Sequence, residues 1–517
     1  MNLVQMLEKT VNKYPNKTFL VAGERRISYV EINEQANKVA NALIQMGLKK
    51  GDRVALMSPN RPEFVSVFFG ILKAGGIAVA LDTRYRIGEL ARLFANCIPA
   101  VLIGESALLE PIVPALSGFS HIRHVIDLDG KYKGKFLTYG EIMAAGSAKP
   151  VKVNISPDDL GIISYSGGPT NHPKGAALTH GSLAEEGKIA AQGFEQTDRD
   201  IVMLFALPMY HNFALCSVFF ASVWAGSTIV IVPGTGISIH TLMEAIEKER
   251  GTVWLGVPYI FSLAVKLAEK EGVKNDLSSL RLCASGGAPL RVETVLQFKK
   301  YYGLTLADVW GLTESASHVT CMALNGTGKI GTIGRALAGW ELKIVDDDGK
   351  ELPTGQVGEI IVRGPIMKGY YGDPEASAKV LKDGWLYTGD LGKLDSDGYV
   401  TFAGVKKELI ILKGQNIYAQ DIEETISAHP KVAAVKVIGV PDKLRGEVVG
   451  AAIVLKPGHT ATDAEIKHFC AERVADYKVP RLVVFVPSLP AVSNPGGNWK
   501  EVRNQLLPLF MPPELKK

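Results

Sequence analysis

The sequence has little that would hold a fold together covalently or build a metal site. Its five cysteines, Cys97, Cys216, Cys283, Cys321 and Cys470, are scattered, with no Cys-x-x-Cys pair and no histidine cluster at ligand spacing. An odd, dispersed set argues against a disulfide framework and fits buried thiols in a reducing, cytoplasmic setting. Charge of one sign is also lacking: 57 Lys and Arg against 53 Asp and Glu leave +4. With no basic run interleaved with aromatics, a nucleic-acid partner is not expected. There is no signal-peptide pattern, because MNLVQMLEKTVNKYP carries charges inside its apolar spacing and reads as an amphipathic helix. One uncharged run, Phe213 to Val232, is about as long as a membrane span. Ala225-Gly226-Ser227-Thr228 breaks it and Ile229–Val232 is β-branched, so it parses as helix, turn and buried strand rather than an integral membrane segment.

What the chain does have is length and alternation. At 517 residues, 47% hydrophobic and 21% charged, it is ordinary globular material too long for one simple core. Tyr29–Met46 has apolar residues at helical spacing and stops at Gly47; Arg53–Met57 is a short strand, Pro62–Ala74 a helix, Ile77–Leu81 a strand. This β-α repetition predicts mainly parallel sheets flanked by helices. His121 and His124, near the strand-like HVIDL, read as surface or packing histidines. Ile201–Leu207 is an apolar strand leading to Pro208-Met209-Tyr210-His211, and Val253–Ser262 and Leu280–Ser285 read as strand-loop units. From Gly404 the pattern changes to charge-rich turns, a strand, and a helix capped by Asp421. Val432–Val440, Val449–Leu455, a helix over Asp463–Val474 and Val483–Val486 follow, a small α+β module of a size that folds alone.

The most informative stretch is Tyr165–Gly175, YSGGPTNHPKG, directly after the apolar strand end Leu160–Ser164. A glycine-rich turn off a strand either makes a plain surface turn or gathers backbone N–H groups into a phosphate cradle. Lys174 adds a point charge suited to a polyphosphate. It is not a Walker A loop, since Pro173 precedes the lysine and Gly175 follows it. Downstream, Ser285-Gly286-Gly287-Ala288-Pro289 allows a tight turn or a close backbone approach to a flat ligand.

Taken in order, these pieces resemble the adenylate-forming superfamily of acyl-CoA synthetases, luciferases and peptide-synthetase adenylation domains. The phosphate loop of that family usually reads Y-T-S-G-T-T-G-x-P-K-G. The match continues through PMYH at Pro208–His211, SGGAPL at Ser285–Leu290, WGLTE at Trp310–Glu314, YTGD at Tyr387–Asp390 and KGQNIYAQDIE at Lys413–Glu423, and so covers essentially the whole chain. The resemblance implies an α/β fold with a large N-terminal domain, 1–405, and a small mobile C-terminal domain, 406–517, hinged near Lys407. It implies that Ser166, Gly168, Thr170 and Lys174 cradle phosphates, and that Gly286, Gly287, Ala288, Asp308, Val309, Trp310 and Gly311 form the nucleotide wall. Trp310, where the family has tyrosine, offers a larger π-face to adenine. Thr313 is expected on the α-phosphate, Glu314 on magnesium and Asp390 on the ribose hydroxyls. His211 flanks the acyl pocket and the thiol's path. Gly414 lines the tunnel for the pantetheine arm of coenzyme A, where only a residue without a side chain leaves room.

Several family positions are altered. Gly167 replaces a serine, Pro169 a threonine and Asn171 a glycine; proline donates no N–H. Gly404-Val405 stands where the family has Gly-Arg. The tail Leu489–Lys500 has Asn498 after the glycine where the family has lysine, although the loop is longer by two and Lys500 could reach in. The missing groups serve adenylation, in which carboxylate and α-phosphate, two anions, must meet. Removing one preorganised donor of this kind costs about 3 kcal/mol of barrier. Thioester formation from a ready acyl-AMP needs mainly alignment. Three functions follow: a ligase taking acyl-AMP and coenzyme A, a complete ATP- and magnesium-using synthetase, or a non-catalytic adenylate sensor. Segments 210–217, 256–261, 285–288 and 312–319 contain no arginine or lysine, so a small apolar monocarboxylic acid is expected. Oligomeric state is not encoded in any of these patterns.

Overall fold

The computed structural model describes residues 1–165, 174–232, 238–324, 328–405, 409–413, 415–490 and 499–511. The chain divides into two compact units, Met1–Thr83 with Phe94–Tyr165 and Lys174–Ala403 in the first, and Arg84–Leu93 with the chain from Gly404 on in the second. The first unit is built on two large, mainly parallel sheets. One has nine strands in the spatial order 335–336, 318–321, 306–311, 282–285, 253–256, 201–204, 228–231, 18–22, 25–28. The other has eight, ordered 369–370, 175–179, 160–165, 77–80, 53–57, 101–104, 124–127, 137–138. A smaller antiparallel sheet carries strands 341–345, 358–363, 381–382, 385–394 and 400–405.

Side chains of the nine-stranded sheet alternate between two cores, as the period of two requires. Val202, Leu204, Val253, Leu255, Leu282 and Ala284 face the core shared with the eight-stranded sheet. Met203, Trp254, Cys283 and Leu306 face helices Ile239–Glu249, Pro258–Glu271 and Val292–Tyr302. Both faces are thus covered, as in other parallel sheets, whose strands read as continuous apolar runs.

The N-terminal ends of these strands are tied together at Asp200. Its Oδ1 accepts from Thr252 Oγ1 and Arg281 Nε, each at 2.7 Å, and its Oδ2 from the Thr197 N–H at 2.7 Å and Arg281 Nη2 at 2.9 Å. The opposite, C-terminal ends open into Pro208–His211, Gly256, Ser285–Gly287 and Gly311–Glu314. Ligands of open parallel sheets bind at that end.

The structure corrects two sequence expectations and refines a third. Val253–Ser262 is not a strand-loop unit: the strand stops at Gly256 and helix Pro258–Glu271 begins, with proline at its first position, where a fixed φ and a missing N–H are harmless. Asp421 does not cap its helix but lies within the first turn of Ala419–Ser427, where a carboxylate still complements the helix dipole. Phe213–Val232 does form helix, turn and strand, but its first part, Phe213–Phe220, is a π-helix. Helix Ala221–Ala225 and Gly226 at φ 79° follow, then strand Thr228–Ile231. Among the described residues no helix is long and apolar enough to cross a membrane.

The second unit has its own core of Ile410, Ile417, Ile422, Ile426, Val437, Val449, Ile453 and Ile466 around a five-stranded sheet. Its helix Asp463–Ala471 is capped by Thr462, whose side chain accepts from the Glu465 N–H.

Candidate active site

Strand Leu306–Gly311 carries Asp308, Val309 and Trp310 and then turns into a hairpin, Leu312–Ser317, that returns as strand His318–Cys321. Gly311 is required here: a Cβ at this position would lie 1.8 Å from the Ser317 carbonyl oxygen. The indole Nε1–H of Trp310 donates to Oδ2 of Asp390 at 2.9 Å, which joins two motifs read separately in the sequence. Asp390 stands inside strand Trp385–Leu394, its own N–H donating to Thr388 Oγ1. Burial, with Glu314 and Glu359 adding negative charge and Trp310 opposing them, raises the Asp390 carboxyl to about 7.

Glu314 is half-buried and its Oε1 accepts from the Tyr370 hydroxyl at 2.8 Å. Lys174 sits with Nζ 5.6 Å over the ring of the same tyrosine. That meeting arises because the short strand Gly369–Tyr370 pairs with strand Gly175–Thr179, immediately after Lys174. Thr313 is buried, and its carbonyl accepts from Asn212 Nδ2 at 3.2 Å. Asp308 is buried on the strand, and desolvation holds its carboxyl well above the usual range.

In the glycine turn, the missing side chain of Gly286 serves packing. A side chain on Gly286 would meet Val309 Cγ2 at 2.7 Å and Phe213 Cζ at 3.3 Å, so packing already claims that side. Gly287, exposed at φ 79°, and half-buried Ala288 continue the turn. His211 is exposed at the start of the π-helix, its Nδ1 accepting from the Phe213 N–H at 3.2 Å. Ser166, Gly168, Thr170, Lys407, Gly414 and Asn498 lie outside the described residues, and the side chain of Lys500 is likewise not described. Sequence reasoning missed Asn212, Glu359 and Tyr370; none belongs to a recognisable motif, and each is brought in by pairing or packing across the chain.

The profile of the family described as AMP-binding enzyme matches residues 7–371, and that of its C-terminal domain matches 421–494. The chain belongs to the AMP-binding, adenylate-forming enzymes. This adenylate-forming chain is 32% identical over 516 residues to a long-chain-fatty-acid–CoA ligase of Bacillus subtilis (strain 168), covering 94% of this chain and 91% of that one. It is also 32% identical over 484 residues to a feruloyl-CoA synthase of an Amycolatopsis species, covering 93% and 94%. Among solved structures it is similar to the amide bond synthetase McbA of Marinactinospora thermotolerans, with a TM-score of 0.87 at 26% identity, covering 98% and 99%.

Proposed function

We propose that this adenylate-forming enzyme is an acid–thiol ligase that joins a small apolar monocarboxylic acid to coenzyme A. In this reading it handles the acyl-adenylate half well and the ATP-driven half poorly. The names of its relatives support the thioester product. The observation that carries the finer reading is the contrast between what is kept and what is replaced. Trp310, hydrogen-bonded to Asp390, and the following Thr313 and Glu314 are the kept residues that would hold the nucleotide. The positions that would neutralise two approaching anions hold Gly167, Pro169, Val405 and Asn498.

In this reading adenine lies against Trp310 and the ribose hydroxyls donate to Asp390. Thr313 bonds the phosphate, and His211 stands where the thiol arrives. Lys407 is the hinge between domains 1–405 and 406–517, and Gly414 leaves space for the pantetheine arm. Glu314 offers a hard oxygen, oriented by Tyr370, for a magnesium ion held otherwise by phosphates; such an ion supplies charge neutralisation at phosphate oxygens. Five buried free cysteines favour a reducing, cytoplasmic workplace.

The test is one assay run in two forms with the purified chain and coenzyme A. A panel of acids from acetate to dodecanoate and cinnamate is offered with ATP, and the same acids are offered as synthetic acyl-AMP. The reading expects thioester from acyl-AMP at least about a hundredfold faster, the scale for losing one preorganised donor. Equal rates would make this a complete ATP-dependent synthetase. Tight AMP binding with no thioester from any acyl-AMP would make it an adenylate sensor.

A further inference from the structure

Resting on the reading that Thr313 meets the phosphate, we propose that Asn212 is a positioning residue that sets where Thr313 stands. Asn212 is buried and uses both ends of its amide. Oδ1 accepts from the Ser164 hydroxyl at 2.7 Å, and Nδ2 donates to the Thr313 carbonyl at 3.2 Å. A carbonyl can only accept, so the amide nitrogen must face Thr313. Ser164 is the penultimate residue of strand Leu160–Tyr165, which leads into the glycine-proline stretch. One side chain thus joins the strand ahead of that stretch to the hairpin bearing Thr313 and Glu314.

The π-helix makes the join a broad one. Its wide i→i+5 turn brings residues four and five apart to one face. From that face Cys216 Sγ donates to the Ala316 carbonyl at 3.4 Å. The Ser217 hydroxyl lies 2.7 Å from Ser317 Oγ and 2.8 Å from His318 Nδ1. On the far side Glu186 Oε1 accepts the His318 N–H at 3.1 Å. These contacts hold a hairpin with Ala316 at φ 62°, a left-handed backbone that a residue with a side chain adopts only under constraint. Cys216 and Ser217 anchor the return of the hairpin; Asn212 alone of the three reaches Thr313 itself.

The experiment is a double-mutant cycle on AMP binding, read by calorimetry on the full chain, with Asn212→Leu, Thr313→Val and the pair. Asn212→Leu keeps similar volume and removes both hydrogen bonds. Each single variant is expected to weaken AMP about tenfold, the scale of a hydrogen bond to a charged group. The pair is expected to bind no more weakly than Thr313→Val, because Asn212 acts through that hydroxyl. In thioester formation from dodecanoyl-AMP, kcat falls while the KM for coenzyme A stays parental. Additive losses, or parental AMP affinity in Asn212→Leu, overturn the proposal while Thr313 keeps its role. Parental affinity in Thr313→Val overturns the phosphate reading beneath it, and the proposal with it. Should Asn212→Leu not fold, Ser164→Ala removes one arm only. It is expected to weaken AMP a few-fold in the parent and not at all beside Thr313→Val; any other pattern overturns the proposal.

Discussion

The indole of Trp310 and the carboxylate of Asp390, 80 residues apart in sequence, share a buried hydrogen bond of 2.9 Å. That bond gives the tryptophan a task besides the proposed stacking on its π-face. It supplies a donor to a carboxylate that otherwise has negative neighbours, Glu314 and Glu359. Asp390→Ala is therefore expected to weaken AMP by about 1.5–3 kcal/mol, as for a lost hydrogen bond to a charged group. Trp310→Phe keeps a ring and removes the donor, and is expected to lose about 1 kcal/mol. Calorimetry with AMP measures both. Parental affinity in Asp390→Ala would remove the ribose from this site.

The carboxyl of Asp390, raised from 3.8 to about 7, makes stability and binding depend on pH in opposite directions. Its folded pKa lies above the unfolded one, so its stabilising contribution is full below about 4 and is lost as pH rises through about 7. Asp390→Asn escapes that loss. Between pH 5 and pH 8 the variant should gain about 2.5 kcal/mol on the parent in denaturant unfolding, at 1.36 kcal/mol per unit. In the proposed site the ribose hydroxyls donate to the ionised form, so AMP affinity in the parent should rise with pH through 7 and binding should release protons. Enthalpies measured in phosphate and in Tris buffer give the proton count, and proton uptake would contradict the assignment.

Asp200 offers a control at the N-terminal ends of the parallel strands of the nine-stranded sheet, whose C-terminal ends open onto the site. Its carboxyl is held below the usual range: burial alone would raise it, but Arg281 and the hydrogen bonds from Thr197 and Thr252 outweigh that. Asp200→Ala leaves Arg281, about a third exposed, without its carboxylate and with only the Phe194 and Glu195 carbonyls to accept from it, and is expected to cost about 2–4 kcal/mol, somewhat under a fully buried pair. Unfolding curves should show that loss while AMP affinity of the folded protein stays within about twofold. A large drop in affinity would mean that the two strand ends are coupled.

The parts of this site that were legible in the sequence are those whose chemistry is local. A strand end followed by Gly or Thr-Glu, as at Trp310–Glu314, announces itself because the turn and the functional group are neighbours in the chain. The parallel α/β architecture was legible for the same reason, through periodicities of two and of 3.6. Asn212 was not, because its partners Ser164 and Thr313 are 48 and 101 residues away. Nor was Tyr370, whose place beside Glu314 and Lys174 depends on a two-residue strand pairing. The π-helix also escaped notice, since Phe213–Phe220 is apolar all round and has no stripe from which a turn size could be read. Pro258 misled because proline reads as a breaker unless the helix begins at it.

Acid-dependent exchange of labelled pyrophosphate into ATP tests most directly the proposal that the thioester half persists while adenylation is crippled. Exchange reports only the first half-reaction and needs no coenzyme A. The account predicts exchange at least about a hundredfold slower than thioester formation from the matching acyl-AMP. It also predicts little recovery in Asn498→Lys alone, because Val405 and the Gly167 and Pro169 positions stay deficient. Brisk exchange in the parent that Lys500→Ala abolishes would contradict it, and would make Lys500 the lysine of an ordinary ATP-using synthetase.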